Sequence, residues 1–122
     1  ARDLERGNVQ MTKYKAKKSM VGGIKFDSQR EAARYTELLL LQKAGHITGL
    51  TLQVPFVLAP AVRLDGETRN KPAIRYIVDF MYSDVKAGKL ICEDVKGFVT
   101  PAFRMKQHLM ATVHGIQVRV TR

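Results

Sequence analysis

The sequence has little of what several broad classes of protein require. Its one cysteine, Cys92, cannot form a disulfide within the chain, and it lies in the apolar segment 90–92, where a thiol behaves as a small buried hydrophobe. The longest run of large apolar side chains, residues 38–41, is far shorter than the ~18 residues of a membrane span. No apolar segment follows the polar, basic N-terminus as it would in a signal peptide. We therefore expect a cytoplasmic protein.

Acidic residues are also scarce relative to basic ones. The 122 residues contain 21 lysines and arginines against 11 aspartates and glutamates, which gives a formal net charge of +10. A basic domain of this size usually binds a polyanion, and nucleic acid is the first candidate. A membrane surface fits less well, because no predicted helix combines a basic face with an aromatic, apolar one. The length predicts a single domain that needs neither disulfides nor a structural metal.

The N-terminal segment 1–18 is polar and basic. Lysines 13, 15, 17 and 18 fall within six positions, which fits either a solvated arm or an arm that binds phosphates. Met11 is a plausible natural start, so residues 1–10 are either native or an extension. We expect a basic arm over 1–18 and one domain over 19–122.

The remaining pattern predicts an α/β protein with a mixed sheet flanked by helices. Gly22 and Gly23 predict a hairpin over 19–26, and Ser28 with Glu31 forms a capping box at the start of a helix over 28–44. Pro55 places the strand over 50–59 at a sheet edge or a bulge. The expected order after the hairpin is α-β-β-β-α-β. The predicted later elements are a turn at 65–66, strands over 73–83 and 89–96, a helix from Thr100-Pro101 to His114, and a strand over 116–121.

Two predicted strands carry acids within apolar segments, Asp79 and Asp94. A buried carboxylate without a partner is costly, and a hard divalent cation with oxygen ligands is one remedy. Because side chains alternate along a strand, Asp94 and Lys96 share a face, with α-carbons ~6.5 Å apart, while Glu93 takes the other face. If the strands pair as a hairpin, Asp79 lies near Asp94. Two carboxylates and a lysine are a set that phosphodiester hydrolysis can use.

This pattern is weak alone in so charged a chain. Asp84-Val85-Lys86 has the same spacing but falls in a predicted turn, whereas an apolar strand precedes Asp94 and Gly97 follows Lys96. The alternative interpretation of Glu93, Asp94 and Lys96 is a charged strand edge. No Ser-His-Asp arrangement, glycine-rich phosphate loop or zinc-ligand spacing appears in the sequence.

Three segments resemble successive motifs of the PD-(D/E)xK nucleases: 26–32, 76–80 and 93–97. Their order and spacing are similar to those of the phage endonuclease I group of Holliday-junction resolvases. The chain also resembles, over about 11–121, a family of short, basic phage proteins of unknown function. Val78 replaces the usual proline, and Asp94 stands where endonuclease I has glutamate. The resemblance implies a restriction-endonuclease-like core.

The same resemblance implies Glu31, Asp79 and Asp94 as metal-binding carboxylates, Lys96 as the catalytic lysine, and Mg²⁺ or Mn²⁺ as the cofactor. Helix capping alone also explains Glu31, so both roles stay open, with Glu37 as a reserve candidate. The expected phosphate-binding residues include the arm lysines and positions in the domain, where Lys106 and Gln107 also fit a solvated helix face. They are Lys13, Lys15, Lys17, Lys18, Arg75, Arg104, Lys106 and Gln107, with Arg63, Arg69 and Lys71 as further basic positions.

The sequence thus favours a metal-dependent endonuclease acting on DNA, with branched DNA as the substrate that the resemblance implies, cut by a homodimer to leave a 5′-phosphate and a 3′-hydroxyl. No small-molecule cofactor or membrane partner is expected. Two alternatives remain: a non-catalytic nucleic-acid-binding protein, which needs the charge but not the acids, and a nicking or restriction-like nuclease on linear duplex.

Overall fold

The structure, a computed structural model, describes residues 19–122. The described residues form two compact units, 19–40 and 41–122. The elements follow the predicted order. They are β1 (Ser19–Val21), β2 (Ile24–Phe26), α1 (Gln29–Lys43), β3 (Ile47–Ala59), β4 (Ile74–Asp84), β5 (Lys89–Val95), α2 (Pro101–His114) and β6 (Arg119–Thr121). The α/β class with a mixed sheet is confirmed. No helix in the described part is long and apolar enough to cross a membrane.

The first unit contains the predicted hairpin and most of α1. β1 and β2 pair antiparallel around Gly22 and Gly23, both of which have positive φ angles. The Glu31 amide donates to Ser28 Oγ at 3.1 Å, as expected where a serine hydroxyl caps a helix. Phe26 and Tyr35 are in ring contact, with centroids 5.0 Å apart. The hairpin and the helix start are therefore where the sequence predicted them.

The second unit is built on a four-stranded sheet of order β3-β4-β5-β6. Pairing is antiparallel from β3 to β5 and parallel between β5 and β6, so the sheet is mixed. β3 is an edge strand, as Pro55 predicted, since a proline cannot donate to a neighbour on both sides. It begins at Ile47 rather than at residue 50, because a register shift between Thr48 and Thr51 accommodates Gly49 without ending the strand.

Helix α2 packs on one face of this sheet. Thr100 caps it by accepting a hydrogen bond from the Phe103 amide at 3.1 Å, and Gly115 ends it with a left-handed φ of 69°. The predicted last strand is shorter than expected, because residues 116–118 leave this cap and bury Val118 before pairing begins at Arg119. The buried core of the unit comprises Leu58, Tyr76, Val78, Cys92, Phe103, Met110 and Val118.

The predicted turns lie where expected. Asp65 and Gly66 form a turn, and the segments beside it are linked by one isolated bridge, Val62 to Lys71. Asp84 closes the turn between β4 and β5, since its carboxylate accepts from the Ala87 amide at 2.9 Å. In the Asp84-Val85-Lys86 triplet, Asp84 is the last residue of β4, and Val85 and Lys86 lie in the exposed turn that follows.

Candidate active site at the end of the β4–β5 ladder

The backbone ladder between β4 and β5 ends one row before Asp79 and Asp94. Its pairs run from Asp84 opposite Lys89 to Phe80 opposite Glu93, so the next row would hold the two aspartates. At that row, hydrogen bonds from backbone amides to the two carboxylates take the place of backbone–backbone pairing. The Asp79 amide donates to Asp94 Oδ1 at 2.9 Å, and the Val95 amide donates to Asp79 Oδ2 at 2.9 Å. Each carboxylate is thus held by the backbone of the opposite strand.

The neighbouring strand is irregular at the same row. β3 pairs with β4 through Leu52 opposite Phe80 and Val54 opposite Val78, which places Gln53 opposite Asp79. Gln53 has a φ of 52°, and it is the only residue other than glycine with a positive φ in the part of the chain that the structure describes. Its Nε2 lies 3.5 Å from Asp79 Oδ1. A strained backbone position therefore stands beside the candidate metal ligand.

Strand β4 also changes its facing at Asp79. Val78 lies in the α2-side core, and Met81 packs against that core too, although strict alternation would put these two residues on opposite faces. Met81 lies opposite Cys92, another member of the same core. The side chains of β4 therefore depart from strict alternation between Val78 and Met81.

Asp94 is almost fully buried, with 2% of its surface exposed. The Tyr76 hydroxyl donates to Asp94 Oδ2 at 2.6 Å, in addition to the Asp79 amide on Oδ1. Burial raises the pKa of Tyr76, and the hydrogen bond and negative charge of Asp94 raise it further. The phenol therefore stays protonated and remains a donor. Charge-assisted hydrogen bonds of this kind offset part of the cost of burying a carboxylate.

Lys96 supplies the cation of the site. Its Nζ lies 3.5 Å from Asp94 Oδ2 and 4.9 Å from the centroid of the Phe103 ring. About a third of the Lys96 side chain is exposed, so the ammonium group is accessible while its position is restricted by the carboxylate and the ring. The structure thus brings Asp79, Asp94 and Lys96 together, as the strand geometry predicted.

These groups line one cleft of about 360 Å³. Arg75 and Lys106, two of the predicted phosphate-binding residues, also line it. The cleft therefore combines two carboxylates with three cationic side chains. Its lining residues are Arg75, Tyr76, Ile77, Asp79, Asp94, Lys96, Thr100, Ala102, Phe103 and Lys106.

Glu93 points away from this set, as alternation predicted. It is fully buried, lies opposite Phe80, and accepts hydrogen bonds from the Tyr82 hydroxyl at 2.5 Å and from Thr121 Oγ1 at 3.0 Å. The groups that donate to the Glu93 carboxylate differ from those that donate to the Asp94 carboxylate, so the two adjacent acids occupy separate environments. Glu93 is tied to β4 and β6, which indicates a structural role.

The other predicted residues lie elsewhere. Glu31 belongs to the first unit, where its amide takes part in the helix cap; its metal-binding role stays a prediction. Arg104 and Gln107 line a different cavity beside α2, and Gln107 Nε2 donates to the Val118 carbonyl at 3.3 Å. Arg63 Nε donates to Asn70 Oδ1, and Lys71 pairs with Glu67. The arm residues Lys13, Lys15, Lys17 and Lys18 lie outside the described residues.

Three residues of the site were not identified from the sequence. They are Tyr76, which donates to Asp94, Phe103, which lies under Lys96, and Gln53, beside Asp79. Only Tyr76 gave a signal, because a tyrosine in a buried strand needs a partner for its hydroxyl. Gln53 contacts a residue 26 positions away in the sequence, and Phe103 contacts Lys96 across the link between β5 and α2.

A family model described as "Protein of unknown function (DUF1064)" matches residues 11–121. No curated protein and no solved structure matches the chain.

Proposed function

We propose that this chain, which belongs to the DUF1064 family, is a divalent-metal-dependent DNA endonuclease. The observation that carries the proposal is the convergence of Asp79, Asp94 and Lys96 at one cleft, in a chain of net charge +10. In the proposed reaction, a water oxygen bonds to phosphorus while the bond to the 3′ oxygen breaks, which leaves a 5′-phosphate and a 3′-hydroxyl.

The donor set of the cleft fits Mg²⁺ or Mn²⁺. No group of three histidine, cysteine, aspartate or glutamate side chains forms a metal cluster within residues 19–122, but Mg²⁺ is commonly held by one or two carboxylates together with substrate phosphate oxygens. Asp79 and Asp94 would be those carboxylates. A bound Mg²⁺ supplies positive charge at the phosphate and lowers the pKa of a bound water.

The residues of the chain have separate roles in this proposal. The Tyr76 hydroxyl and the Asp79 amide hold the Asp94 carboxylate in one orientation, so little reorganisation is needed when substrate arrives. Lys96 places an ammonium group where negative charge develops on the phosphate oxygens. Arg75 and Lys106 at the same cleft would bind flanking phosphates.

Electrostatics favours the enzyme over a non-catalytic binding protein. Two carboxylates in a cleft repel phosphate unless a cation lies between them, so Asp79 and Asp94 would weaken DNA binding in a protein that only binds DNA, even though they connect β4 and β5. A metal-dependent nuclease needs such acids. Asp79, Asp94 and Lys96 all lie within the second unit, residues 41–122.

We propose branched DNA as the preferred substrate and a homodimer as the active form. The support is the resemblance of the three motifs to Holliday-junction resolvases and the absence from the sequence of a known base-reading motif, which favours recognition of DNA shape. Two cuts related by two-fold symmetry suit a symmetric dimer. The site of action would be the cytoplasm.

Incubation of the full chain with a labelled four-way junction tests the proposal. Wild type and three variants, Asp79→Asn, Lys96→Ala and Lys86→Ala, are compared with and without Mg²⁺. Lys86 is a matched control, because it is the lysine of the turn triplet with the same spacing from an aspartate. We expect Mg²⁺-dependent cleavage by wild type and Lys86→Ala, and a loss of at least about 100-fold in the other two, which corresponds to about 2.7 kcal/mol of transition-state stabilisation.

Binding is measured on the same samples without metal. Asp79→Asn should retain or increase junction affinity, because a negative charge has left the cleft. A wild-type protein that binds the junction but cuts nothing with Mg²⁺ or Mn²⁺ would support the non-catalytic alternative. Equal cleavage of the junction and of a matched linear duplex would support the nuclease activity but contradict the proposed preference for branched DNA.

A further inference from the structure

Phe98 is the most exposed large hydrophobic side chain within residues 19–122, with 75% of its surface accessible. It lies in the link between β5 and α2. Single exposed hydrophobic residues are common and need no explanation by themselves. Phe98 differs from other exposed hydrophobic residues in its position near the candidate cleft and in the cationic groups around it.

The link joins two residues that line the candidate cleft. Lys96 and Thr100 both line the cleft, and Phe98 is two residues from each. Two residues of extended chain span at most about 7 Å, so the Phe98 α-carbon lies within that distance of both. Phe98 does not itself line the cleft, but its exposed side chain belongs to the short link whose two ends do.

The link is also anchored at both ends. The Lys96 amide donates to the Thr121 carbonyl at 2.8 Å, and an Arg122 guanidinium nitrogen lies 3.4 Å from the Gly97 carbonyl. Thr100 is fixed by its hydrogen bond with the Phe103 amide. Little conformational entropy remains to be lost when a ligand contacts a segment held in this way.

The surroundings of Phe98 are cationic. Lys96 and Lys106 line the adjacent cleft, and Arg122 contacts the residue that precedes Phe98. An exposed ring among cations complements a ligand that offers both phosphates and flat apolar faces. Single-stranded nucleic acid is bound in this manner, by bases stacking on aromatic side chains beside a basic groove. Bases in an intact duplex are stacked on one another and offer no free face.

We propose that Phe98 stacks on an unpaired base next to the phosphate held in the cleft, and that this contact selects DNA with unstacked bases. The inference rests on the proposed function for the identity of the cleft, and it names a specificity residue within the same site. Since stacking of one base on an aromatic side chain is lost on alanine substitution, we expect about 5- to 150-fold weaker binding of such DNA.

The test uses the full chain in EDTA, so that binding is measured without cleavage. The probes are a four-way junction with an unpaired 2-aminopurine at the branch point and a matched linear duplex. Phe98→Ala should weaken binding to the junction by the factor above and change duplex binding less than about twofold. Phe98→Trp should retain the affinity and the quenching of 2-aminopurine fluorescence that stacking produces.

Leu90→Ala is the matched control, because Leu90 is another exposed hydrophobic residue, with 51% of its surface accessible, and it lies near the far end of β5. It should behave as wild type. Equal losses for junction and duplex with Phe98→Ala, or unchanged fluorescence quenching, would overturn the proposal. A dimeric wild type and a monomeric Phe98→Ala variant in sedimentation analysis would also overturn it, because the ring would then contact a second copy of the chain.

Failure of this inference and failure of the proposed function are distinguishable. The stacking test needs no metal and no hydrolysis, so it can succeed in a protein that does not cut DNA. Conversely, Mg²⁺-dependent cleavage combined with an inert Phe98→Ala would keep the nuclease and remove the role of Phe98.

Discussion

Asp79 and Asp94 hold each other's strands: the Asp79 amide donates to the Asp94 carboxylate, and the Asp79 carboxylate accepts from the amide that follows Asp94, both at 2.9 Å. This reciprocal arrangement stands at the point where backbone pairing of β4 and β5 ends. It fixes both carboxylates without using a neighbouring cation for the purpose. The two acids therefore stabilise the fold as well as forming the proposed site. We expect their substitution to change both the free energy of unfolding and the cleavage rate, and the two effects can be measured independently.

Substitution of Asp94 should separate its two roles. Asp94→Ala leaves the buried Tyr76 hydroxyl and the Asp79 amide without their acceptor, so we expect the free energy of unfolding to fall by about 2–4 kcal/mol. Asp94→Asn keeps an acceptor oxygen for the amide and should lose about 1 kcal/mol or less, while cleavage is abolished in both. Urea denaturation followed by circular dichroism measures the difference.

The control for this comparison is Asp84→Ala. Asp84 also accepts a hydrogen bond from a backbone amide, but in the turn, where the acceptor is in contact with solvent. Its removal should cost under about 1 kcal/mol. If Asp94→Ala is as stable as wild type, the hydrogen bonds described at Asp94 do not stabilise the folded state.

Gln53 should show a conflict between stability and activity. A residue other than glycine in the left-handed region costs about 1–2 kcal/mol, so Gln53→Gly should raise the free energy of unfolding by about 1 kcal/mol. The same change removes the side chain that lies beside Asp79, and we expect slower cleavage with unchanged DNA binding. Parallel denaturation and single-turnover cleavage assays measure both effects.

The Asn variant of the same position is the matched comparison. Asn tolerates the left-handed conformation better than Gln but cannot reach as far, so Gln53→Asn should be at least as stable as wild type and also slow. A less stable Gln53→Gly would mean that the contacts of the Gln53 side chain outweigh its backbone strain.

Stability at high pH should depend on Tyr76. Burial and the hydrogen bond to Asp94 raise the pKa of Tyr76 above its ordinary value of 10, so the folded protein keeps a proton that the unfolded chain releases. This contribution is fully present below pH 10 and decreases as the pH rises further, by at most about 1.4 kcal/mol per pH unit. The stability of wild type relative to Tyr76→Phe should therefore decrease from pH 9 to pH 11.

Urea denaturation of the two proteins across that range measures the relative stability. Tyr76→Phe itself should be less stable than wild type at pH 8, because Asp94 loses its phenol donor. A constant difference between the two proteins from pH 9 to pH 11 would contradict a raised pKa of Tyr76.

The salt dependence of DNA binding should report the cleft cations. Each phosphate contact contributes about −0.9 to the slope of log K against log salt concentration on duplex DNA. Arg75→Ala and Lys106→Ala should each reduce the magnitude of that slope by about 1, because both residues line the cleft. Titrations at several salt concentrations in EDTA give the slopes. Lys86→Ala, in the turn, should leave the slope unchanged; an equal effect of all three would indicate non-specific binding over the whole surface.

Much of the fold followed from local patterns. Gly22 and Gly23 at the hairpin, Ser28 before α1, and Thr100 and Gly115 around α2 specify turns and caps through their own backbone preferences, and all lie where the sequence predicted. The boundaries of β3 and β6 were less accurate. The bulge near Gly49 and the packing of Val118 depend on neighbouring elements and not on local propensity.

The sequence by itself determined which residues are candidates for metal binding and catalysis, and on which face of each strand they lie. Strand alternation separates Glu93 from Asp94 and puts Asp94 with Lys96, because side chains on a strand have a period of two. Only the tertiary structure decided that β4 and β5 stop pairing at Asp79, that Gln53 stands opposite in a left-handed conformation, and that Tyr76 and Phe103 complete the surroundings of Asp94 and Lys96. These relationships arise between different secondary-structure elements, where packing and the satisfaction of buried polar groups outweigh local preference.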